Sequence, residues 1–225
     1  MRIKFNAPFP VPAANPSPSK AGHLYVAFTD KAQNADPNDA ADVFFVRSTD
    51  GGLHWDGGTS GTTRTRISTV PTNDQWMPVL AVKPDGTQLF VAWYDRRNDI
   101  NNSRLDVYGR WGAIANDGTV TFDTECRIST ESFPPVFAGT LAENTVTGYY
   151  DPVYPPAGVD LNWWYPEWPD NNFFTPNTYA GHVGEYNGVC ADSSYVYFTW
   201  TDSRLVAPVI LRAQRDIRFV RLLWP

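Results

Sequence analysis

An all-β fold built from repeated, short antiparallel strands is predicted by three observations on this chain of 225 residues. The first is internal repetition: Tyr25-Val-Ala-Phe-Thr-Asp30, Phe90-Val-Ala-Trp-Tyr-Asp95 and Tyr197-Phe-Thr-Trp-Thr-Asp202 each place an aromatic first, an aromatic fourth and an Asp last. The second is a companion phrase that opens on Asp and follows at a nearly constant offset. It reads Asp42-Val-Phe-Phe-Val-Arg47, Asp106-Val-Tyr-Gly-Arg-Trp111 and Asp216-Ile-Arg-Phe-Val-Arg221, lying 12, 11 and 14 positions after the first Asp of its copy. The third is texture: runs of Val, Phe, Tyr and Trp bounded by Asp, Asn, Gly and Pro are strands separated by turns, and no stretch sustains helical spacing.

The elements of a copy follow in order. A first strand is expected within Pro10-Val-Pro-Ala-Ala-Asn-Pro16, Pro78-Val-Leu-Ala-Val-Lys-Pro84 and Asn187-Gly-Val-Cys-Ala-Asp192, and the two repeated phrases supply the second and third. A fourth is expected at Arg66-Ile-Ser-Thr69 and Arg127-Ile-Ser-Thr130, and the last copy lacks it. Four short antiparallel strands recurring at this interval make the blade of a β-propeller, for which a repeat of roughly 40–50 residues is usual. A β-sandwich or β-helix is the alternative. The units run over 7–70, 74–130 and 182–225 of a single partial domain spanning 1–225, with an insert at 131–181.

Propellers close with roughly four to eight blades, and three do not make a ring. Two faces rich in Phe, Trp and Tyr would then meet water over more area than a soluble monomer tolerates. The expected partners are the missing blades of a longer chain or a second copy, which would give six. The longer chain is favoured, because the sequence starts within a blade pattern without a capping element.

Composition narrows the partners. The net charge of −6 and the lack of any Lys/Arg run argue against a nucleic-acid groove or an anionic membrane surface. No apolar stretch approaches a membrane span. Met1-Arg-Ile-Lys4 is basic, but Asn6, Pro8, Pro10 and Pro12 interrupt what would be the apolar core of a signal peptide, so no signal peptide is read on this chain and the compartment stays open. Cys126 and Cys190 fall on opposite radial edges of a propeller and are not expected to pair. No cofactor or metal is expected. His23, His54 and His182 lack ligand spacing, and the loops 34–39 and 98–102 are rich in Asn and Asp without a recognised calcium pattern.

Ser48-Thr-Asp50-Gly-Gly52-Leu-His-Trp55 fits Ser-x-Asp-x-Gly-x-x-Trp and directly follows the third strand of the first copy. It resembles the Asp-box, or BNR repeat, of sialidase-like β-propellers. Asp74-Gln-Trp-Met-Pro-Val79, Trp93-Tyr-Asp-Arg-Arg97, and Gly184-Glu-Tyr186 leading to Trp200-Thr-Asp-Ser-Arg204 are similar to bacterial proteins of the exo-sialidase-like group. The resemblance implies that Ser48, Asp50, Gly52 and Trp55 build a structural turn on the outer rim, away from a central pocket. Physically, such a turn uses the Asp carboxylate to accept backbone N–H groups, Gly for positive φ and Trp to close the base. The second copy substitutes Ala115-Asn-Asp-Gly118, ordinary hairpin chemistry. The resemblance also favours an extracellular or periplasmic setting and a glycan ligand.

A sialidase uses a Tyr nucleophile assisted by a carboxylate, an Asp acid/base, and Arg groups that grip the substrate carboxylate. Glu185 and Tyr186, immediately before a first strand, are the candidate pair here, and Asp74 is a candidate acid/base by position. Adjacent strand residues point to opposite faces, so ordinary hydrogen bonding at a strand edge is the simpler role for that pair. The family's Arg-Ile-Pro motif is absent, since Arg66-Ile-Ser and Arg127-Ile-Ser lack the Pro. Arg97 and Arg204 recur at equivalent positions, which favours a structural Asp–Arg tie and leaves both as secondary candidates for an acidic sugar.

The interval from Asp30 to Asp95 is 65 residues and that from Asp95 to Asp202 is 107, so the third copy carries an insert of about 42. It interleaves Tyr150, Trp163, Trp164 and Trp168 with Pro152, Pro155, Pro166 and Pro169. Restricted backbone and flat apolar faces suit sugar stacking or partner docking, with a lid packed on the propeller as the alternative. The expectation is an exo-glycosidase of sialidase type acting on glycans, with a non-catalytic glycan- or protein-binding scaffold as the alternative.

Overall fold

A computed structural model describes residues 10–31, 39–56, 64–70, 72–100, 102, 104–133, 187–207 and 212–225, with the side chains of 203–207 and 212–216 outside the description. Among them there is no α-helix, and the strands form three antiparallel sheets. The first sheet has the order β1 (Val11–Ala14), β2 (Leu24–Asp30), β3 (Asp42–Ser48), β4 (Thr65–Arg66). The middle sheet is β5 (Gln75–Val82), β6 (Gln88–Asp95), β7 (Asp106–Ile114), with β8 (Val120–Phe122) and β9 (Cys126–Arg127) both pairing β7. The third is β10 (Gly188–Ala191), β11 (Tyr195–Ala207), β12 (Arg212–Leu223).

Each copy of the repeat thus becomes one sheet, with sequential strands as spatial neighbours. The expected fourth strands form, but they are brief and begin one residue early, at Thr65 and Cys126. In the middle sheet the fourth position is split: Gly112 pairs Phe122 whereas Tyr108 pairs Arg127, a register that slips by one residue between β8 and β9. Glu125 and its neighbours form the step. No closed ring is formed among the described residues, and the four-strand pattern is complete only in the first sheet.

Strand alternation explains how the sheets stack. Leu89, Val91 and Trp93 of β6 face the first sheet, where they meet Tyr25, Ala27, Val43, Phe45 and Ile67. Phe90, Ala92 and Tyr94 face the third, where they meet Val196, Phe198, Trp200 and Trp224. The middle sheet is therefore core on both sides, and β6 reads as a continuous apolar run for that reason. Gly109 sits in β7 because a Cβ there would lie 2.6 Å from the Phe90 ring and 2.8 Å from Ile128. The strand β5 packs against β1, β2 and β3 on one side and β10 on the other, so the first strands of the three copies lie next to one another.

Candidate functional site

The repeated Asp residues explain themselves once strands are paired. Asp30 lies opposite Asp42, Asp95 opposite Asp106, and Asp202 opposite Asp216, so each pair closes the same end of the hairpin between the second and third strands. Like charges placed directly across a ladder repel, and each described pair is answered by arginine. In the first sheet Arg64 pairs with Asp30, and Arg66 Nη1 approaches Asp42 Oδ2 at 3.4 Å. In the middle sheet Arg97 Nη2 lies 2.6 Å from Asp95 Oδ2 and Arg127 Nη2 lies 2.6 Å from Asp106 Oδ1. The repeated Arg-Ile-Ser-Thr phrase is thereby accounted for: its Arg neutralises the third-strand Asp, and Ile67 is fully buried.

Equivalent positions differ in their electrostatics. Asp42 has its pKa raised, burial being the largest cause, with Arg66 only partly opposing it. Burial pushes Asp106 the same way, yet donors from Asn98, Ser132, Ser129 and Arg127 outweigh it and hold the carboxyl below its ordinary value. The Ser129 and Ser132 hydroxyls both donate at 2.8 Å.

Asp74, read as a candidate acid/base, is fully buried. Its Oδ1 accepts the Ala40 N–H at 2.8 Å, and its Oδ2 accepts Asn102 Nδ2 at 2.9 Å and faces Arg96 Nη1 at 3.4 Å. Burial raises its pKa, in the direction a general acid needs. Its oxygens are nevertheless committed to holding the 40 and 102 loops. Arg96 is buried as well, stacked 4.7 Å from the Trp76 ring centroid, and burial lowers its pKa to about 10.

Arg97 serves inside the protein. Besides Asp95 it pairs with Glu125, reaches Ser68 Oγ at 3.4 Å, and lies 4.0 Å from the Tyr108 ring centroid. Glu125 in turn accepts the Thr69 N–H at 2.5 Å. The pair clips the segment after β4 of the first sheet to the middle sheet, which is the structural tie expected of this position. The backbone of Arg204 sits in β11 at a register shift between Asp202 and Leu205. Glu185, Tyr186, Tyr150, Trp163, Trp164 and Trp168 lie outside the described residues.

The turn at 48–55 occupies the opposite end of the first sheet. Ser48 Oγ accepts the Gly52 N–H at 2.9 Å and donates to Asp50 Oδ1 at 2.8 Å. Asp50 Oδ1 also accepts the His54 N–H at 2.9 Å, Oδ2 meets His54 Nδ1 at 2.6 Å, and Trp55 Nε1 donates to the Gly52 carbonyl at 3.1 Å. The His54 backbone bond is the largest of the causes that hold the Asp50 carboxyl well below the carboxylate range. Gly51 and Gly52 have φ of 76° and 91°, a region closed to most side chains. In the middle sheet Ala115–Gly118 is a hairpin turn, with Gly118 N–H donating to the Ala115 carbonyl at 3.0 Å.

One site was missed by sequence reasoning. Met77 has φ 52°, at a register shift in β5 between Trp76 and Val79. Its N–H donates to Thr29 Oγ1 at 3.1 Å and its carbonyl accepts Asn187 Nδ2 at 3.3 Å, so a strained residue joins all three sheets beside their first strands. The available signal was Pro78, which removes a ladder donor within a strand and commonly marks a bulge. Among the described residues no group of three or more His, Cys, Asp or Glu is placed to hold a metal, and no helix is long and apolar enough to cross a membrane. No protein-family model matches the chain, and no curated protein matches it in sequence.

Proposed function

We propose that the chain is part of a sialidase-like β-propeller directed at glycans, with its carbohydrate site beside the first strands, where Met77 and Asn187 meet, and with Glu185 and Tyr186, which precede Asn187 in the sequence, as its candidate residues. The observation that carries this is the hydrogen-bonded Ser48–Asp50–His54–Trp55 turn, which directly follows the third strand of a four-stranded sheet, as an Asp-box does. The shared strand order of three sheets, with β5 against both β1 and β10, supports the same architecture.

In the enzymatic form the protein is an exo-glycosidase of sialidase type, with Tyr186 as nucleophile, Glu185 assisting it and Asp74 as acid/base. In the second form it is a non-catalytic scaffold that holds a glycan or protein through the aromatic insert. The internal engagement of Asp74 and Arg97 favours the second, because both Asp74 oxygens and both Arg97 terminal nitrogens are held by neighbours within the protein. A panel of fluorogenic sialosides separates the two. Turnover abolished by both Glu185→Gln and Tyr186→Phe would support the enzyme. Saturable sialoside binding without turnover, weakened by Trp163→Ala or Trp168→Ala, would support the scaffold, and absence of both would remove the glycan proposal.

A further inference from the structure

The third sheet departs from the repeat at two positions that the strand register brings together. Pro10 and Pro78 open the first-strand phrase in the first two copies, and Asn187 opens it in the third. Trp93 and Trp200 both stand two residues before the repeated Asp. Gly188 pairs with Thr199, so carrying the register back by one residue sets Asn187 across from Trp200. Such cross-strand neighbours lie on one face of the sheet, about 4.5–5.5 Å apart at Cβ. Both face the middle sheet: Trp200 packs in the core that holds Trp76 and Tyr94, and Asn187 Nδ2 donates to the Met77 carbonyl at 3.3 Å.

Each carries a polar atom that the protein does not use. Trp93 Nε1 donates to Asp95 Oδ2 at 2.8 Å, whereas Trp200, only 6% exposed, has an Nε1 buried without a hydrogen-bond partner. Asn187 Oδ1 is likewise buried and unpartnered. The bond to Met77 fixes the amide, because only its nitrogen can donate to a carbonyl, so the oxygen is left as an acceptor. A buried hydrogen bond left unmade is costly, and native proteins leave few. Here a donor and an acceptor are left side by side, in the one copy where the proline is replaced, and the residues Asn187 and Met77 keep partial exposure beside them.

We propose that Asn187 Oδ1 and Trp200 Nε1 form a subsite for a neutral hydroxyl of a sugar, which donates to the first and accepts from the second. A hydroxyl is donor and acceptor in one group and satisfies both atoms at once. A carboxylate has no proton to give Asn187, and an ammonium has no lone pair to offer Trp200. An acidic sugar would therefore enter this subsite by one of its hydroxyls and present its carboxylate elsewhere. The subsite presupposes the glycan ligand proposed above and adds which of its groups is held.

The test is heteronuclear NMR of the full chain with nitrogen-labelled tryptophan, in which the Trp200 indole cross-peak is the one of nine lost in Trp200→Phe. Neutral methyl glycosides of the gluco, galacto and manno series, methyl α-sialoside, glycerol and acetate are titrated in turn. At least one neutral glycoside is expected to shift that peak saturably, with glycerol and acetate leaving it in place. Its affinity by calorimetry should fall about tenfold in Trp200→Phe and in Asn187→Pro, which restores the residue of the other two copies. Circular dichroism checks the sheet signal, and Trp200→Tyr or Asn187→Leu stands in for a variant that loses it. Saturable sugar binding that leaves the Trp200 peak unmoved, or that survives both substitutions, would overturn the subsite and leave the glycan reading standing. Binding of no sugar at all would overturn both. A peak that glycerol or acetate shifts as readily as the glycosides would assign the pair to a small polar solute and overturn the subsite as well.

Discussion

The first and middle sheets carry the same phrases at the same register, yet the middle one is buried on both faces and its charges are far better satisfied. Trp93 and Phe28 occupy equivalent positions, two before the repeated Asp. Trp93 is fully buried and donates from Nε1 to Asp95 Oδ2 at 2.8 Å, whereas Phe28 is half-buried. Asp106 has four donors where Asp42 has one guanidinium at 3.4 Å and an Oδ1 with no hydrogen bond. The repeat therefore copies the pairing of its second and third strands, while position in the stack decides what each side chain contributes.

The largest expected effect lies in the core. Trp93→Ala should cost about 3–5 kcal/mol, from the cavity and the lost apolar burial, and it also removes the donor to buried Asp95. Phe28→Ala should cost about 1–2 kcal/mol, in keeping with partial burial. Equal losses in urea unfolding would break the comparison.

The arginines come next. Arg127→Met removes two charge-assisted bonds to Asp106, from Nε at 2.8 Å and Nη2 at 2.6 Å. It should cost about 1–2 kcal/mol after allowance for the partial exposure of the guanidinium. Arg66→Met should cost less than about 1 kcal/mol, since its single contact is long. A double-mutant cycle with Asp106→Asn or Asp42→Asn measures each pair directly.

Titration sharpens the contrast, because the two equivalent carboxylates should have opposite signs. The folded pKa of Asp106 lies below its unfolded value, so its stabilisation is full above the unfolded pKa and is lost as pH falls through the folded one. The advantage of wild type over Asp106→Asn should shrink on acidification below about pH 4. The folded pKa of Asp42 is raised, so its favourable contribution is present below the unfolded pKa and is lost as pH rises through the folded one. Asp42→Asn should gain relative to wild type as pH rises toward neutral. Urea midpoints across that range read both slopes, and slopes of the same sign would refute the assignment.

The smallest effect belongs to the turns. Asp50→Ala removes the acceptor for the His54 N–H and imidazole and for Ser48, and should lower the melting midpoint more than Asp117→Ala, whose carboxylate is held by Thr119 alone, with the Thr119 N–H donating to Oδ1 at 2.8 Å. Differential scanning calorimetry of the two variants makes the comparison.

Much of this organisation was legible in the sequence because the repeat is long and its markers serve backbone geometry. Asp30, Asp95 and Asp202 mark one end of a hairpin, and Ser48, Asp50, Gly52 and Trp55 write out a turn whose bonds are local. Tertiary choices were not legible. In Asp95-Arg-Arg97 sequence spacing singled out Arg97, whereas Arg96 is the one wholly buried, because Asp74 and Asn102 arrive from other segments. The positive φ of Met77 and the split between β8 and β9 depend on neighbours in other strands, and only Pro78 hinted at the first. Asp74 could be placed before a strand, but its complete burial depends on the packing of Ala40 and Asn102 over it.

The clip made by Arg97 and Glu125 bears on shape at a larger scale. Apolar contact between sheets is non-directional and tolerates rotation of one sheet over the next. A planar guanidinium held by Asp95 and Glu125 while it touches Ser68, with Glu125 grasping the Thr69 N–H, tolerates little. In any stack of sheets a small angular error at each junction accumulates from one to the next, turning a closing arc into a spiral. A short polar latch between the first and middle sheets therefore fixes how the two sit against each other, which greasy surfaces alone would leave free to drift.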